Sequence, residues 1–240
     1  PVKRKKPVKV IQPKHDPSAA PPNWEAVYNA IKAMRTKIEA PVDTKGCDMA
    51  QLLETDPRNK RFITLVSLIL SVRTTDNICD ATVKNLRQAV GGTMSLEKFL
   101  ATNEDTIQEV LKSVGLNKAD NLINTAHILR EDFNSDVPDT IQDLVKLWGV
   151  GPKVGFLTLS VAWGKHDGIG VDVHVRRITQ RLGWHNEEDP EKARQKLQVW
   201  FPKERFQELN KLLVGLGQTI CGESPKCHLC ALSSGICPEA

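Results

Sequence analysis

The sequence predicts an all-α protein, and three observations predict it. From Asn23 onward apolar residues recur at steps of three and four almost everywhere, which gathers them on one face of a helix. Only 5% of the residues are aromatic and Tyr28 is the single tyrosine, so the aromatic-rich alternation of a sandwich or barrel is missing. The one alternating stretch, Ile169, Val171, Val173 and Val175, is too isolated to find partner strands.

Taken in order, the first helix is read from Trp24, Val27, Ile31, Met34 and Ile38, with Asn23 as its N-cap. The same period predicts helices over 61–72, 76–88, 95–101, 104–113, 118–133 and 140–147. The next is read over 152–163, where Pro152 is placed to begin a helix. Helices over 173–182, 190–201 and 203–218 follow, with no repeat of solenoid period and no long linker after residue 22.

With 240 residues, 40% hydrophobic and 26% charged, the chain has the composition of an ordinary globular protein, long enough for one large core or two modest ones. The strongest apolar run, from Phe62 to Val72, is far short of the roughly 18 to 20 residues that cross a bilayer, so no membrane partner is expected. Six cysteines are too few for a small disulfide scaffold. Net charge is +4, but Lys3, Arg4, Lys5, Lys6, Lys9 and Lys14 put +6 into the first fifteen residues, leaving 4 − 6 = −2 for the rest. A nucleic-acid reading must therefore rest on local placement of charge. The Pro- and Lys-rich stretch 1–21 reads as a disordered basic tail, either merely solvated or used for nuclear import or DNA contact. No secretory apolar segment follows it, which favours a reducing compartment inside the cell.

Three features carry chemistry. Cys221, Cys227, Cys230 and Cys237 lie within 17 residues, with gaps of five, two and six. Four such thiols can wrap one soft metal centre, either zinc or a [4Fe-4S] cluster, whose irons take one thiolate each. Cys47 and Cys79 lie far off in sequence and read as ordinary buried residues. The second feature is Leu147-Trp148-Gly149-Val150-Gly151-Pro152-Lys153, a glycine-flanked turn before a helix. Backbone N-H groups there can approach an anion such as a DNA phosphate, although a plain connection between helices has the same sequence. The third is Gly170-Val171-Asp172-Val173-His174, in which Asp172 reads as a helix N-cap or a functional carboxylate.

In this order and spacing the three features resemble the endonuclease III family of DNA glycosylases, and the eukaryotic branch most closely. The resemblance covers about residues 22–240 and includes the LVGLGQTIC run that ends at Cys221. It implies a two-domain helix-hairpin-helix DNA glycosylase fold. A six-helix barrel would span 54–165, and residues 22–53 would pack with 166–240 around a [4Fe-4S] cluster held by Cys221, Cys227, Cys230 and Cys237.

The resemblance implies a bifunctional DNA glycosylase and apurinic/apyrimidinic lyase acting, as a monomer, on duplex DNA with oxidised pyrimidines or abasic sites. The compartment it implies is the nucleus, the mitochondrion or both. Lys153 would be the nucleophilic amine and Asp172 the catalytic carboxylate. DNA would be met by Gly149, Val150 and Gly151, by His174, by Lys226 in the cysteine loop, and by Arg73 and Leu116 as residues that fill the gap left by a flipped base. Arg73 stands where the family usually has Gln, Trp148 replaces the usual hairpin proline, and the loop 114–119 is shorter than usual. The cysteine gaps are more often six, two and five. Two other readings follow from these departures: a glycosylase with altered lesion preference, and a non-enzymatic iron-sulfur DNA-binding protein of the same fold. Arg176, Arg177 and Arg181 form a basic helix face, solvated or phosphate-binding. The tryptophans other than Trp148 read as packing.

Overall fold

The computed structural model describes residues 2–240, apart from the side chain of Leu116. The described residues form α-helices and short 3-10 turns with no strand, as the period predicts. In chain order the helices are α1 (Trp24–Arg35), α2 (Pro41–Lys45), α3 (Pro57–Ser71), α4 (Asp76–Ala89), α5 (Leu96–Ala101), α6 (Glu104–Leu111), α7 (Leu116–Asp132), α8 (Ile141–Leu144), α9 (Pro152–Trp163), α10 (Val173–Arg181), α11 (Pro190–Trp200) and α12 (Phe206–Thr219).

The chain divides into two compact units. One comprises the residues up to Val10 together with Lys45–Lys165; the other comprises Ile11–Thr44 with His166–Ala240. The first boundary falls at residue 45 instead of the expected 54. The reason is that Cys47 and Ala50 pack against the first core, and the 3-10 turn Ala50–Leu53 lies on α3. Residues 2–21 differ from the expected free tail: they hold no helix before the turn Pro17–Ala19, yet Lys5, Gln12 and Asp16 are hydrogen-bonded to later parts of the chain.

The first unit is built around α3, whose residues Phe62 to Leu70 are all buried. A helix apolar on every side needs cover on every side, and α4, α7 and α9 pack against it. Its polar residues bond to their own helix, Thr64 to the Lys60 carbonyl and Ser67 to the Ile63 carbonyl, both at 2.8 Å. The helix starts a turn earlier than expected because Asp56 caps it. The Asp56 carboxylate accepts from Arg58 N at 2.8 Å and Asn59 N at 3.1 Å, and Pro57 takes the first position. Arg61 closes the outer side, paired with Asp136 at 2.6 Å and stacked 4.3 Å over Trp163.

The second unit buries Trp184, Trp200, Phe201 and Phe206, with Trp24 packed alongside at 5.5 Å from Trp200 in an edge-to-face contact. The tryptophans named as packing residues do pack. Asn23 stands at the start of α1 as expected, but in the left-handed region (φ 60°) and without a side-chain cap bond. The alternating stretch forms no strand: Ile169, Val171 and Val175 are buried while Val173 is exposed at the start of α10. Arg194, 1% exposed, is held by Glu191 at 2.6 and 2.7 Å and by Gln198 at 2.7 Å, and it also donates to the Ile11 carbonyl. That last bond pins the chain ahead of α1 to α11.

Candidate active site and cysteine cluster

The turn before α9 is shaped by where its side chains go. Leu147 and Val150 are buried, which pulls the turn onto the first core, and Trp148 O accepts from Thr125 Oγ1 at 3.0 Å. Gly149 lies between them with φ +75°, and a Cβ there would stand 2.9 Å from Ile69 Cγ2 on α3. Only glycine satisfies both the left-handed backbone and the close approach. Gly151 is different: its backbone is extended and a Cβ would meet nothing within 4 Å, so the turn is open at this point. No side chain caps α9, so its leading N-H groups are left for another acceptor. Lys153 stands in this first turn, half-buried, and its amine makes no hydrogen bond or ion pair among the described residues, although its charge is felt by the Cys47 thiol.

Two tail residues sit on the same turn. Lys5 Nζ donates to Val150 O at 2.8 Å, and Trp148 Nε1 donates to Lys3 O at 2.7 Å. Burial pushes the Lys5 ammonium below its ordinary range. Arg4 pairs with Asp132 at 2.9 Å beside it. Nothing in the tail's sequence marks this docking, since it carries no periodic pattern.

The turn between α3 and α4 presents Arg73 to solvent with φ +54°, a left-handed conformation that a long side chain adopts at a cost of about 1–2 kcal/mol. Sequence reasoning overlooked its support, Lys118 of α7. That side chain donates to Leu70 O at 2.8 Å and to Thr74 Oγ1, so one ammonium ties both sides of the turn. Burial pushes the Lys118 ammonium below its ordinary range. Leu116 is expected in a loop; its backbone instead opens α7, directly after Gly115 (φ +106°), and its side chain lies outside the described residues.

In the second unit Asp172 caps α10: its Oδ1 accepts from His174 N and Val175 N, both at 2.9 Å. Its Oδ2 has no protein partner among the described residues, so capping and a second role are compatible. His174 packs on α12, where a Cβ at Gly217 would fall 2.6 Å from His174 Nδ1, and Arg177 Nη2 lies 3.1 Å from that nitrogen. The basic face of α10 is mostly occupied. Arg177 donates to Cys221 O at 2.9 Å, Arg181 to Gly222 O at 2.6 Å and Glu223 O at 2.8 Å, and Arg176 pairs with Glu188 at 3.1 Å. These arginines shape the cysteine loop. Lys226 in that loop is exposed.

The four C-terminal cysteines are all free thiols, each partly buried. Burial pushes the Cys230 thiol up against a backbone bond from Leu232, and Cys221, Cys237 and Cys227 add to the shift, so each of these three lies within electrostatic reach of Cys230. Arg181 Nη1 adds a contact of 3.5 Å to the Cys221 sulfur. Among the described residues no three His, Cys, Asp or Glu side chains close on a single-ion position. No helix among them is long and apolar enough to cross a membrane.

A glycine-built turn leading into an uncapped helix with a lysine in its first turn defines a class. Residues 66–203 match the HhH-GPD superfamily of base excision DNA repair proteins. The chain is 44% identical over 229 residues to the Endonuclease III homolog of Schizosaccharomyces pombe, covering 94% of this chain and 64% of the relative's length. It is 38% identical over 229 residues to Endonuclease III-like protein 1 of Gallus gallus, covering 93% and 80%. A solved structure described as a non-covalent Endonuclease III-DNA complex superposes with a TM-score of 0.73 at 25% identity, over 90% of this chain and 95% of that one. The chain therefore belongs to the endonuclease III family of DNA repair enzymes.

Proposed function

We propose that the protein is a bifunctional DNA glycosylase and apurinic/apyrimidinic lyase that removes oxidised pyrimidines from duplex DNA and acts as a monomer. The observation that carries this reading is Lys153, a half-buried amine with no hydrogen bond or ion pair among the described residues, in the first turn of an uncapped helix behind the Gly149–Gly151 turn. An uncapped helix start favours a phosphate beside it, which supplies the register that brings a sugar to the amine.

The chemistry then needs two groups. Rupture of the glycosidic bond sends the bonding electrons out with the base and leaves positive charge on the sugar, which the Asp172 carboxylate stabilises. The Lys153 nitrogen bonds to C1′ and loses its proton; ring opening gives a Schiff base. Loss of a 2′ proton into that electron sink expels the 3′ phosphate, which cuts the strand by β-elimination. Arg73, held out of its turn, is suited to fill the space of the extruded nucleotide, and Leu116 is the second residue we assign to that gap. Gly149, Val150 and Gly151 would meet the backbone phosphate, with His174 and Lys226 as further DNA contacts.

A [4Fe-4S] cluster fits the C-terminal cysteines. Four free, partly buried thiols close together in the chain, with Cys221, Cys230 and Cys237 packed on one core, suit a cube that takes one thiolate per iron. When bound, it would cross-link the loop that carries Lys226, and we assign it no part in the base chemistry. DNA in the nucleus or mitochondrion is the substrate we assign; two relatives in Arabidopsis thaliana bear the name chloroplastic.

Borohydride reduction on duplex DNA with an abasic site or an oxidised thymine tests the reading. Wild type should give a covalent adduct, and Lys153→Gln should abolish adduct, base release and strand cleavage while DNA affinity stays within a few-fold. Asp172→Asn keeps the cap but removes the charge, so turnover should fall by about two or more orders of magnitude. A wild type that binds DNA but yields no adduct on any such substrate would be a non-enzymatic iron-sulfur DNA-binding protein.

A further inference from the structure

Cys47 and Cys79 are 32 positions apart, in the segment before the Ala50–Leu53 turn and in α4. The fold brings them onto one acceptor. Cys79 Sγ donates to the Ser67 carbonyl of α3 at 3.4 Å and Cys47 Sγ approaches the same oxygen at 3.6 Å. Sharing one acceptor makes the two sulfurs neighbours. Neither takes part in the chemistry proposed for Lys153 and Asp172, and neither belongs to the C-terminal cysteine group. We propose that Cys47 and Cys79 form a redox-active dithiol, a site for a hydroperoxide-class oxidant that closes it into a reversible disulfide inside the first unit.

The two thiols are unlike in the way such chemistry requires. Cys47 is partly exposed, and the neighbouring Cys79 thiol, helped by the Lys153 charge and Ser71, holds its thiol below its ordinary range against burial and Asp76. Cys79 is 4% exposed, and its neighbour Cys47 together with burial pushes its thiol up. Cys47, the more exposed of the two and so the one an oxidant reaches, is the attacking sulfur and Cys79 the resolving one. The Cys47 thiolate displaces hydroxide from hydrogen peroxide, forming S–O as O–O breaks. Cys79 sulfur then attacks the sulfenic sulfur, forming S–S as S–O breaks, and the departing hydroxide takes the Cys79 proton. Two thiols give up two electrons and two protons, and the peroxide becomes two waters. The Lys153 ammonium, which faces an ionisable thiol in the reduced protein, would then face a neutral disulfide.

Tryptic peptides test this on the full chain as purified. Cys47 falls in 46–58 and Cys79 in 74–84, each with one cysteine. After hydrogen peroxide and alkylation, the two peptides should be recovered joined, as the main oxidised form, and separated again by dithiothreitol. Cys79→Ser should leave Cys47 as a dimedone-reactive sulfenic acid. Both cysteines still alkylatable after a dose that consumes free glutathione, or both oxidised without joining, would overturn the proposal. The mapping uses no DNA, so its failure leaves the reading of Lys153 untouched.

Discussion

Gly149 combines two demands that a side chain meets badly. Its φ of +75° costs any other residue about 1–2 kcal/mol, and a Cβ would press on Ile69 at 2.9 Å. Gly149→Ala should therefore lower the stability of the first unit by at least about 1 kcal/mol in urea unfolding. It should also weaken DNA binding, because the turn moves with it. His185 offers a second residue-level test. Its Nδ1 accepts from Glu187 N at 3.0 Å, so the ring proton lies on Nε2, 2.7 Å from Thr179 Oγ1, whose own proton goes to Val175 O. Burial holds this imidazole below its ordinary value of 6.5. Between the folded and unfolded values the unfolded chain binds more protons, so stability from this group is complete above about pH 6.5 and declines as pH falls below it. Urea midpoints measured from pH 7.5 to 5 should fall for the wild type, and His185→Gln should flatten that slope. At this scale the sequence was partly legible. The glycine spacing marked the hairpin, but the left-handed Arg73 and the half-buried Lys118 beneath it carry no signal in residue type.

Elements were readable where the apolar pattern decides them. The run from Phe62 to Leu70 is helical and buried, whereas a cap moved the start of α3 to Pro57. Arginine faces were harder. Periodicity shows that Arg177 and Arg181 share a side of α10, but not that carbonyls of the Cys221–Glu223 loop lie against it. The consequence is testable at the scale of that loop. Arg181→Met keeps the stem of the side chain and removes donors from two carbonyls, which should cost about 1–3 kcal/mol. If the loop holds a cluster of about four irons per chain, the variant should lose iron to a chelator several-fold faster than wild type. Equal rates would mean that the cysteines alone fix the loop.

Charge acts on the whole chain, and its distribution is uneven: +6 in the first fifteen residues and −2 in the remainder. Sequence alone reads the basic stretch as free, because a segment rich in Pro and Lys buries too little to order itself. What it misses are the acceptors that other parts of the chain supply. Val150 O takes Lys5, Asp132 takes Arg4, and Gln198 donates to Gln12 while Arg194 reaches Ile11 O. The docked stretch still leaves Lys3, Lys6, Lys9 and Lys14 exposed. Those four charges remain available to a polyanion, and each phosphate neutralised adds about 0.9 to the slope of log affinity against log salt. Deleting residues 1–15 should therefore flatten that slope and weaken binding to duplex DNA at low salt. Lesion choice should not change, because the residues assigned to base extrusion and chemistry are retained. The deletion also removes the bonds to Arg194 and Gln198, so unfolding of the second unit must be measured on the same samples. A lower urea midpoint with an unchanged salt slope would make the stretch a structural strap, whereas a flatter slope at equal stability would assign it to DNA.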